Sequence, residues 1–164
     1  MKKFIKYSLY GALYLAIIFV LAIMFIVTAK ADIIKPTTNI EPYKVIKIQL
    51  ESLRNNDLPR KDIGIDQTWE FAHPDNKKNT GPLERFKIML KSRSYGMLLN
   101  HLEHEITQMK STNLVALFEV KILDESKVYY KFNWQVEKYT NEGPLKDCWL
   151  TTVVSAPISL GSSI

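Results

Sequence analysis

An uncharged segment of 23 residues near the N-terminus, residues 7–29, constrains this chain more than any other feature. Lysines stand on both sides of it, at Lys6 and Lys30. As an α-helix the segment would be about 34 Å long, and the hydrocarbon core of a bilayer is about 30 Å thick. We therefore predict a transmembrane helix, which makes residues 1–30 a membrane anchor.

The alternative interpretation of the same segment is a cleaved signal peptide. Lys2, Lys3 and Lys6 would form its basic region, and residues 29–31 have the small-x-small form of a cleavage site. The apolar cores of signal peptides run to about 7 to 15 residues, which is well short of this segment and favours retention. Cleavage after Ala31 would instead export the free domain.

The flanking lysines predict the orientation of the anchor. Three lysines precede it, whereas Lys30 and Lys35, which follow it, are partly offset by Asp32. The positive-inside rule therefore places the N-terminus on the cytoplasm-like side, which is the matrix or stroma in an organelle. We expect a single-pass protein of the mitochondrial inner membrane, with the thylakoid or the bacterial inner membrane as alternatives.

Charge and cysteine content limit the partners of the remaining chain. Four of the 22 Lys and Arg residues lie within residues 1–30, and none of the 17 Asp and Glu residues does, so the remainder carries about +1. A domain this balanced has no electrostatic footprint for nucleic acid. Cys148 is the only cysteine, which excludes an intrachain disulfide and a cysteine metal cluster.

Sequence periodicity predicts helices first and strands last. After a linker at residues 31–41, helical patterns cover residues 41–55, 63–72 and 82–91, and residues 73–81 form a turn and a polar loop. Alternating patterns predict strands at residues 103–110, 114–123, 128–139 and 148–156. On the two central strands the predicted inward side chains are all apolar: Phe118, Val120, Ile122, Phe132, Trp134 and Val136. The predicted class is α+β, with helices on one face of a curved antiparallel sheet.

Several short motifs give this order of elements a family resemblance. They are IQLESLRNND at residues 48–57, GI at 64–65, WEFA at 69–72, TGPLERF at 80–86, YGMLLNH at 95–101 and CWLT at 148–151. Together they resemble an uncharacterised family of nuclear transport factor 2-like domains from plants, algae and bacteria, over about residues 42–152. The resemblance implies a cone of about three helices on a curved sheet, spanning residues 42–155, and transfers no catalytic role. The anchor and the tail at residues 156–164 depart from the family.

One cluster has the side-chain chemistry of metal ligands: His101, Glu103, His104 and Glu105. On a strand, His101 and the two glutamates would share one face, and His104 would point to the other. The two histidines could then not share a metal ion, so we predict ordinary polar residues and no metal site.

Cone folds of this type often hold a pocket, and some use an Asp/His pair there as acid and base. His101 with Asp66 or Glu70 is the conceivable pair in this chain. The bulky inward side chains are instead expected to fill the cone, so the sequence assigns no catalytic, cofactor-binding or metal-binding residue and predicts no enzyme and no cofactor. A basic run around the third helix could meet anionic lipid or an acidic subunit: Lys77, Lys78, Arg85, Lys87, Lys91 and Arg93.

These features lead to one functional hypothesis and one alternative. We expect a non-catalytic accessory or assembly subunit of a multi-subunit membrane complex, with the lipid bilayer and other membrane-protein subunits as partners. The alternative is a membrane-tethered pocket protein that binds or isomerises a small apolar molecule. A cavity of a few hundred Å³ with His101 or an acid pointing into it would favour the alternative.

Overall fold

The computed structural model describes residues 32–162. The described part contains four α-helices, which are α1 (Pro42–Arg54), α2 (Ile63–Glu70), α3 (Pro74–Thr80) and α4 (Leu83–Leu90). A short 3-10 helix, Gly96–Leu98, precedes the sheet. The strands are β1 (Glu103–Ser111), β2 (Val115–Leu123), β3 (Val128–Lys138), β4 (Trp149–Val154) and β5 (Ile158–Ser162).

The five strands form one antiparallel sheet in which β3 has two partners on the same side. The order is β1-β2-β3-β4, and β5 also pairs with β3. β4 pairs with residues 134–138 of β3, whereas β5 pairs with residues 128–131. After β4 ends, the chain therefore continues along the same edge as a second, shorter strand.

The core lies between α1 and one face of the sheet. Alternate residues of β2 are buried, as the strand period requires, and they belong to the same buried cluster as the apolar face of α1. On α1, Val45, Ile46, Leu50 and Leu53 are completely buried, at the spacing of one helical face. Both sequence patterns are confirmed, and the six predicted inward side chains of β2 and β3 are all buried.

The predicted fold class needs correction on two points. The described residues contain four α-helices where about three were predicted, because residues 74–80 form α3. Pro74 at the first position and the His73 ring, which accepts a hydrogen bond from the Asp75 amide, start this helix. α3 buries none of its residues, so it shows no apolar periodicity that a sequence pattern could reveal.

The second correction concerns the membrane-spanning part of the predicted fold. Within residues 32–162, no helix combines the length and the apolar character that a membrane span requires. The predicted transmembrane helix at residues 7–29 lies outside the described residues. The fold that the structure supports is therefore an α+β domain of four helices on an antiparallel sheet, without a described membrane helix.

Both flanks of the predicted domain contact it. In the predicted linker, the Ile34 amide donates to Gln67 Oε1 at 2.7 Å, and Gln67 Nε2 donates to the Ile34 carbonyl at 2.8 Å. The Lys35 ammonium pairs with Glu70 at 2.9 Å. At the other end, residues of the predicted tail form β5. The linker and the tail therefore add contacts that the sequence pattern did not predict.

Gly64 is required where α2 crosses α1. A Cβ atom at this position would lie 2.0 Å from the Ser52 carbonyl oxygen and 2.9 Å from the Asn56 Cα atom, and backbone cannot yield as a side chain can. Gly64→Ala is therefore expected to lower the free energy of unfolding by about 2 kcal/mol. Urea denaturation measures this loss. Gly96→Ala is the control, because its Cβ atom would meet nothing closer than 3.8 Å and its φ is not positive; an equal loss in both variants would contradict the close contact.

Candidate functional site

A candidate site within residues 32–162 is a cavity of about 90 Å³ between the helices and the inner face of the sheet. Its wall is mainly apolar, and its residues come from all four helices, β3, β4 and the segment before β1: Gln49, Leu53, Thr68, Ala72, Asn76, Thr80, Phe86, Met89, Leu90, Tyr95, Leu98, Trp134, Thr151 and Val154. Sites for drug-sized ligands usually measure about 300 to 1,000 Å³. This cavity therefore has room for a very small molecule or a few waters.

A chain of buried hydrogen bonds crosses the polar part of the cavity wall. The Trp134 indole N–H donates to Thr151 Oγ1 at 3.2 Å, and Thr151 Oγ1 donates to Gln49 Oε1 at 2.6 Å. Gln49 Nε2 donates to the Thr68 carbonyl at 3.0 Å, and Thr68 Oγ1 donates to the Gly64 carbonyl. These polar groups bond with one another, so the wall presents satisfied groups to the cavity.

Thr151 joins this chain, so its hydroxyl is expected to matter for stability. Thr151→Val keeps the shape of the side chain but leaves the buried Trp134 N–H and Gln49 Oε1 without this partner. We expect the free energy of unfolding to fall by about 2 to 3 kcal/mol. Urea denaturation checks this value against Thr152→Val, whose partly buried hydroxyl makes one 3.4 Å bond to the Gln135 carbonyl. Similar losses in both variants would show that the buried hydrogen bonds of Thr151 add no stability.

His101 and His104 form a second polar cluster beneath the C-terminal end of α1. His101 is 1% exposed, its Nδ1 lies 2.8 Å from the Leu98 carbonyl, and its Nε2 lies 2.8 Å from His104 Nδ1. A carbonyl only accepts hydrogen bonds, so His101 Nδ1 carries the proton and Nε2 accepts from His104. The prediction that the two histidines point to opposite faces is wrong. His101 precedes β1 and follows Asn100, which has a φ of 54°, so strand alternation does not apply to it.

Burial keeps this histidine pair neutral. It lowers the pKa of His101 to about 4 and also lowers the pKa of His104, and the positive charge of Arg54 acts in the same direction on both. Both ring nitrogens of His101 are engaged in hydrogen bonds. His101 is also absent from the cavity wall. In this arrangement His101 has no free nitrogen with which to exchange a proton with a molecule in the cavity.

The two acids that the sequence offered as partners of His101 make other contacts. Asp66 pairs with Arg60 at 2.8 Å and with Lys87 at 3.2 Å. Glu70 pairs with Lys35. Neither carboxylate lines the cavity. The structure thus brings His101 together with His104, and it places Asp66 and Glu70 in ion pairs on α2.

Most of the predicted basic run is matched by acids or aromatic rings. Lys78 pairs with Asp75 at 2.7 Å, and Lys91 pairs with Asp62 at 2.7 Å. Lys87 lies near both Asp66 and Glu84. The Lys77 ammonium lies 5.5 Å from the centre of the Trp69 ring, and burial lowers its pKa. Four of the six basic residues of this run therefore make local contacts, so the run does not form a continuous surface of unpaired positive charge.

Cys148 and the two glutamates of the cluster with ligand chemistry, Glu103 and Glu105, are the remaining candidate residues in the described part of the chain. Cys148 is buried, and burial raises the pKa of its thiol, which disfavours the reactive thiolate. Among residues 32–162 no group of three or more His, Cys, Asp or Glu side chains is arranged to hold a metal ion. Glu103 and Glu105 are exposed at the edge of the sheet.

Comparisons with known proteins add no relative. No protein-family model matches the chain, and neither the curated proteins nor the solved structures contain a match. The family resemblance described above therefore stays a prediction from the quoted motifs.

The buried hydrogen-bond chain is what reasoning from the sequence missed. Its one available signal was Gln49, a polar side chain on the apolar face of α1, where a buried amide needs partners. Those partners, Thr68 and Thr151, lie 19 and 102 residues away. Only the fold brings them together.

Proposed function

We propose that residues 33–162 form a non-catalytic interaction module, and that the chain serves as an accessory subunit of a membrane complex. The observation that carries the proposal is a series of exposed apolar side chains along β4 and β5, both of which pair with the same side of β3. Val153, Ile158 and Leu160 are each about half exposed, at 50%, 47% and 50%. Large apolar side chains exposed along one side of a sheet are typical of a contact site for another molecule.

The interior supports the same proposal. The inner face of the sheet is covered with bulky apolar side chains, and the remaining cavity is small, with its polar groups bonded to one another. His101, the buried histidine whose pKa is strongly lowered, does not line the cavity. An arrangement of this kind supports stable packing better than it supports chemistry on a bound substrate.

The membrane part of the proposal comes from the sequence alone. It depends on the apolar residues 7–29, which lie outside the described residues, and it includes the expectation of the mitochondrial inner membrane. Other membrane-protein subunits and the bilayer remain the predicted partners.

Extraction of the native membrane in mild detergent tests this proposal. A native gel followed by mass spectrometry is expected to find the full-length chain in one defined complex with other subunits. Recovery as a lone fragment that begins near Asp32 would contradict it, because the N-terminal segment would then be a cleaved signal.

The cavity favours one second candidate, a protein that binds a small apolar molecule. Its wall combines Phe86, Met89, Leu90 and Trp134 with a few hydroxyl and amide groups. The wall contains no carboxylate or imidazole, so this candidate is a binding protein in preference to an isomerase. Thermal unfolding of the purified chain with a panel of small hydrocarbons tests it: binding raises Tm in proportion to the logarithm of concentration, and an unchanged Tm contradicts it.

A further inference from the structure

A second concave surface of the described chain lies between the first turn of α1 and the end of the sheet at which β1 turns into β2. We call it the α1 groove. Its volume is about 380 Å³, which is within the range of about 300 to 1,000 Å³ that is usual for small-molecule sites. Its lining is mainly polar and includes Glu41, Tyr43, Gln108, Asn113, Lys138 and Trp149.

The first turn of α1 leaves two backbone donors without an acceptor. Glu41, the residue before the helix, accepts a hydrogen bond from the Val45 amide through its carbonyl, but its side chain makes no capping bond. Pro42 has no N–H, and the amides of Tyr43 and Lys44 have no acceptor within the described part of the chain. The first turn also contains no acidic residue. Free amides and the positive end of the helix dipole both favour an anion at this position.

A buried indole supplies a third donor, and it is independent of the helix. Trp149 is only 7% exposed and lines the groove. Its N–H has no hydrogen-bond partner among residues 32–162, whereas the equally buried Trp134 donates its N–H to Thr151. A nearly buried N–H without a protein partner is costly unless an acceptor reaches it from outside the protein. Trp149 therefore indicates a hydrogen-bond acceptor in the groove.

Lys138 adds a positive charge beside this indole. The two residues stand opposite each other in β3 and β4, and the ammonium lies 5.2 Å from the centre of the Trp149 ring. Within the described part of the chain the ammonium makes no ion pair. Glu41 is the acid among the lining residues, and it is exposed. The groups held in place by the fold are therefore donors.

These donors select the chemistry of the ligand. An apolar molecule would leave them unpaired, and a cation would be repelled by Lys138 and by the start of α1. We propose that the α1 groove binds a small molecule through a carboxylate or phosphate group, which accepts hydrogen bonds from the Trp149 indole, the Lys138 ammonium and the first-turn amides of α1. The ring of Tyr43, 47% exposed, offers an apolar face to the rest of the ligand. This site is separate from the accessory role proposed above, so either can fail alone.

Nuclear magnetic resonance of the purified full-length chain in a non-ionic detergent tests this inference. Inorganic phosphate and acetate are the two probes, and sodium chloride keeps the ionic strength constant. At least one probe is expected to shift the indole N–H signal of Trp149 and the amide signals of Tyr43 and Lys44 along a saturating curve. The probe with the lower Kd identifies the preferred group.

Substitutions distinguish a binding site from general electrostatic attraction. Lys138→Met and Trp149→Phe each remove one donor and keep most of the side chain, so each is expected to raise the Kd of the probe about tenfold. Glu41→Gln removes a negative charge from the lining and is expected to lower the Kd about threefold. Lys131→Met is the control and is expected to leave the Kd unchanged, because Lys131 pairs with Glu119 on the other face of the sheet. The partly exposed Lys138 keeps the test valid if Trp149→Phe does not fold.

Three results would overturn the inference. The first is that neither probe moves these signals. The second is an equal Kd in wild type and in Lys138→Met. The third is movement that occurs only in micelles that contain phosphatidylglycerol, which would assign the groove to a membrane surface. A chain that joins no membrane complex would contradict the accessory role and leave these three outcomes unaffected, so the two failures are distinguishable.

Discussion

Replacing Trp134 with alanine is expected to lower the free energy of unfolding by about 3 to 5 kcal/mol. The indole is 2% exposed, stands opposite Phe118 on β2 and Val154 on β4, and lines the cavity. Its removal would enlarge the cavity and leave Thr151 without one of its hydrogen-bond partners. Urea denaturation at pH 7 measures the loss.

Tyr129→Ala is the matched control for this variant. Tyr129 is an aromatic residue of the same strand, but it lies on the opposite face of the sheet and is partly exposed. A loss within about 1 kcal/mol is expected for it. Comparable losses in the two variants would contradict the assignment of the buried face. Added indole is expected to restore part of the stability of Trp134→Ala, because a ligand that binds only the folded state stabilises it.

Acidification from pH 6.5 to pH 4 is expected to remove about 3 kcal/mol of stability through His101 alone. Burial lowers the pKa of this histidine from 6.5 to about 4 in the folded chain. Between these two values the unfolded chain binds a proton that the folded chain does not, so stability falls as the pH falls. The contribution of neutral His101 to the free energy of unfolding is fully present above pH 6.5 and is lost once the pH reaches about 4.

The hydrogen bonds give this dependence a structural cause. A proton added to His101 Nε2 turns this atom into a donor, so the bond between the rings persists only if His104 moves its own proton from Nδ1 to Nε2. The positive charge of Arg54 on α1 disfavours protonation of both histidines. Two other residues of α1 act on His104: Lys47 lowers its pKa, and Glu51 raises it. The pair therefore becomes unfavourable in acid.

Comparison of wild type with His101→Gln isolates this contribution from that of the carboxylates. Glutamine does not titrate and can still donate a hydrogen bond to the Leu98 carbonyl. The free energy of unfolding of the variant is therefore expected to fall by about 3 kcal/mol less than that of wild type between pH 6.5 and pH 4. Leu98→Ala is the control for destabilisation, because it removes a buried apolar side chain and no titratable group. Equal pH dependence in wild type and His101→Gln would refute the role of His101.

Local periodicity explains what the sequence predicted well. The apolar face of α1 and the alternation along β2 and β3 depend on geometry that repeats every few residues, so one sequence window contains the whole signal. The hairpin of β2 and β3 was also predicted correctly, since the two patterns flank a short polar turn at residues 124–127.

The errors fall on residues whose environment is not local. α3 was missed because it buries no residue. β5 was missed because its residues are exposed, so its pairing with β3 is the feature that defines it. The histidine pair was misjudged because one turn residue, Asn100, takes His101 out of the strand period. The cavity wall combines residues of four helices, the segment before β1, β3 and β4, and no window of sequence contains it.

The pattern of residues was enough to predict the α+β class, the faces of α1, β2 and β3 that form the core, and the balanced charge of the domain. These properties follow from hydrophobic period and composition, which are local quantities. The packed fold was needed to establish which buried polar groups meet and that His101 bonds to His104. Such contacts join residues distant in sequence, and their energies depend on burial and geometry that arise only when the elements pack together.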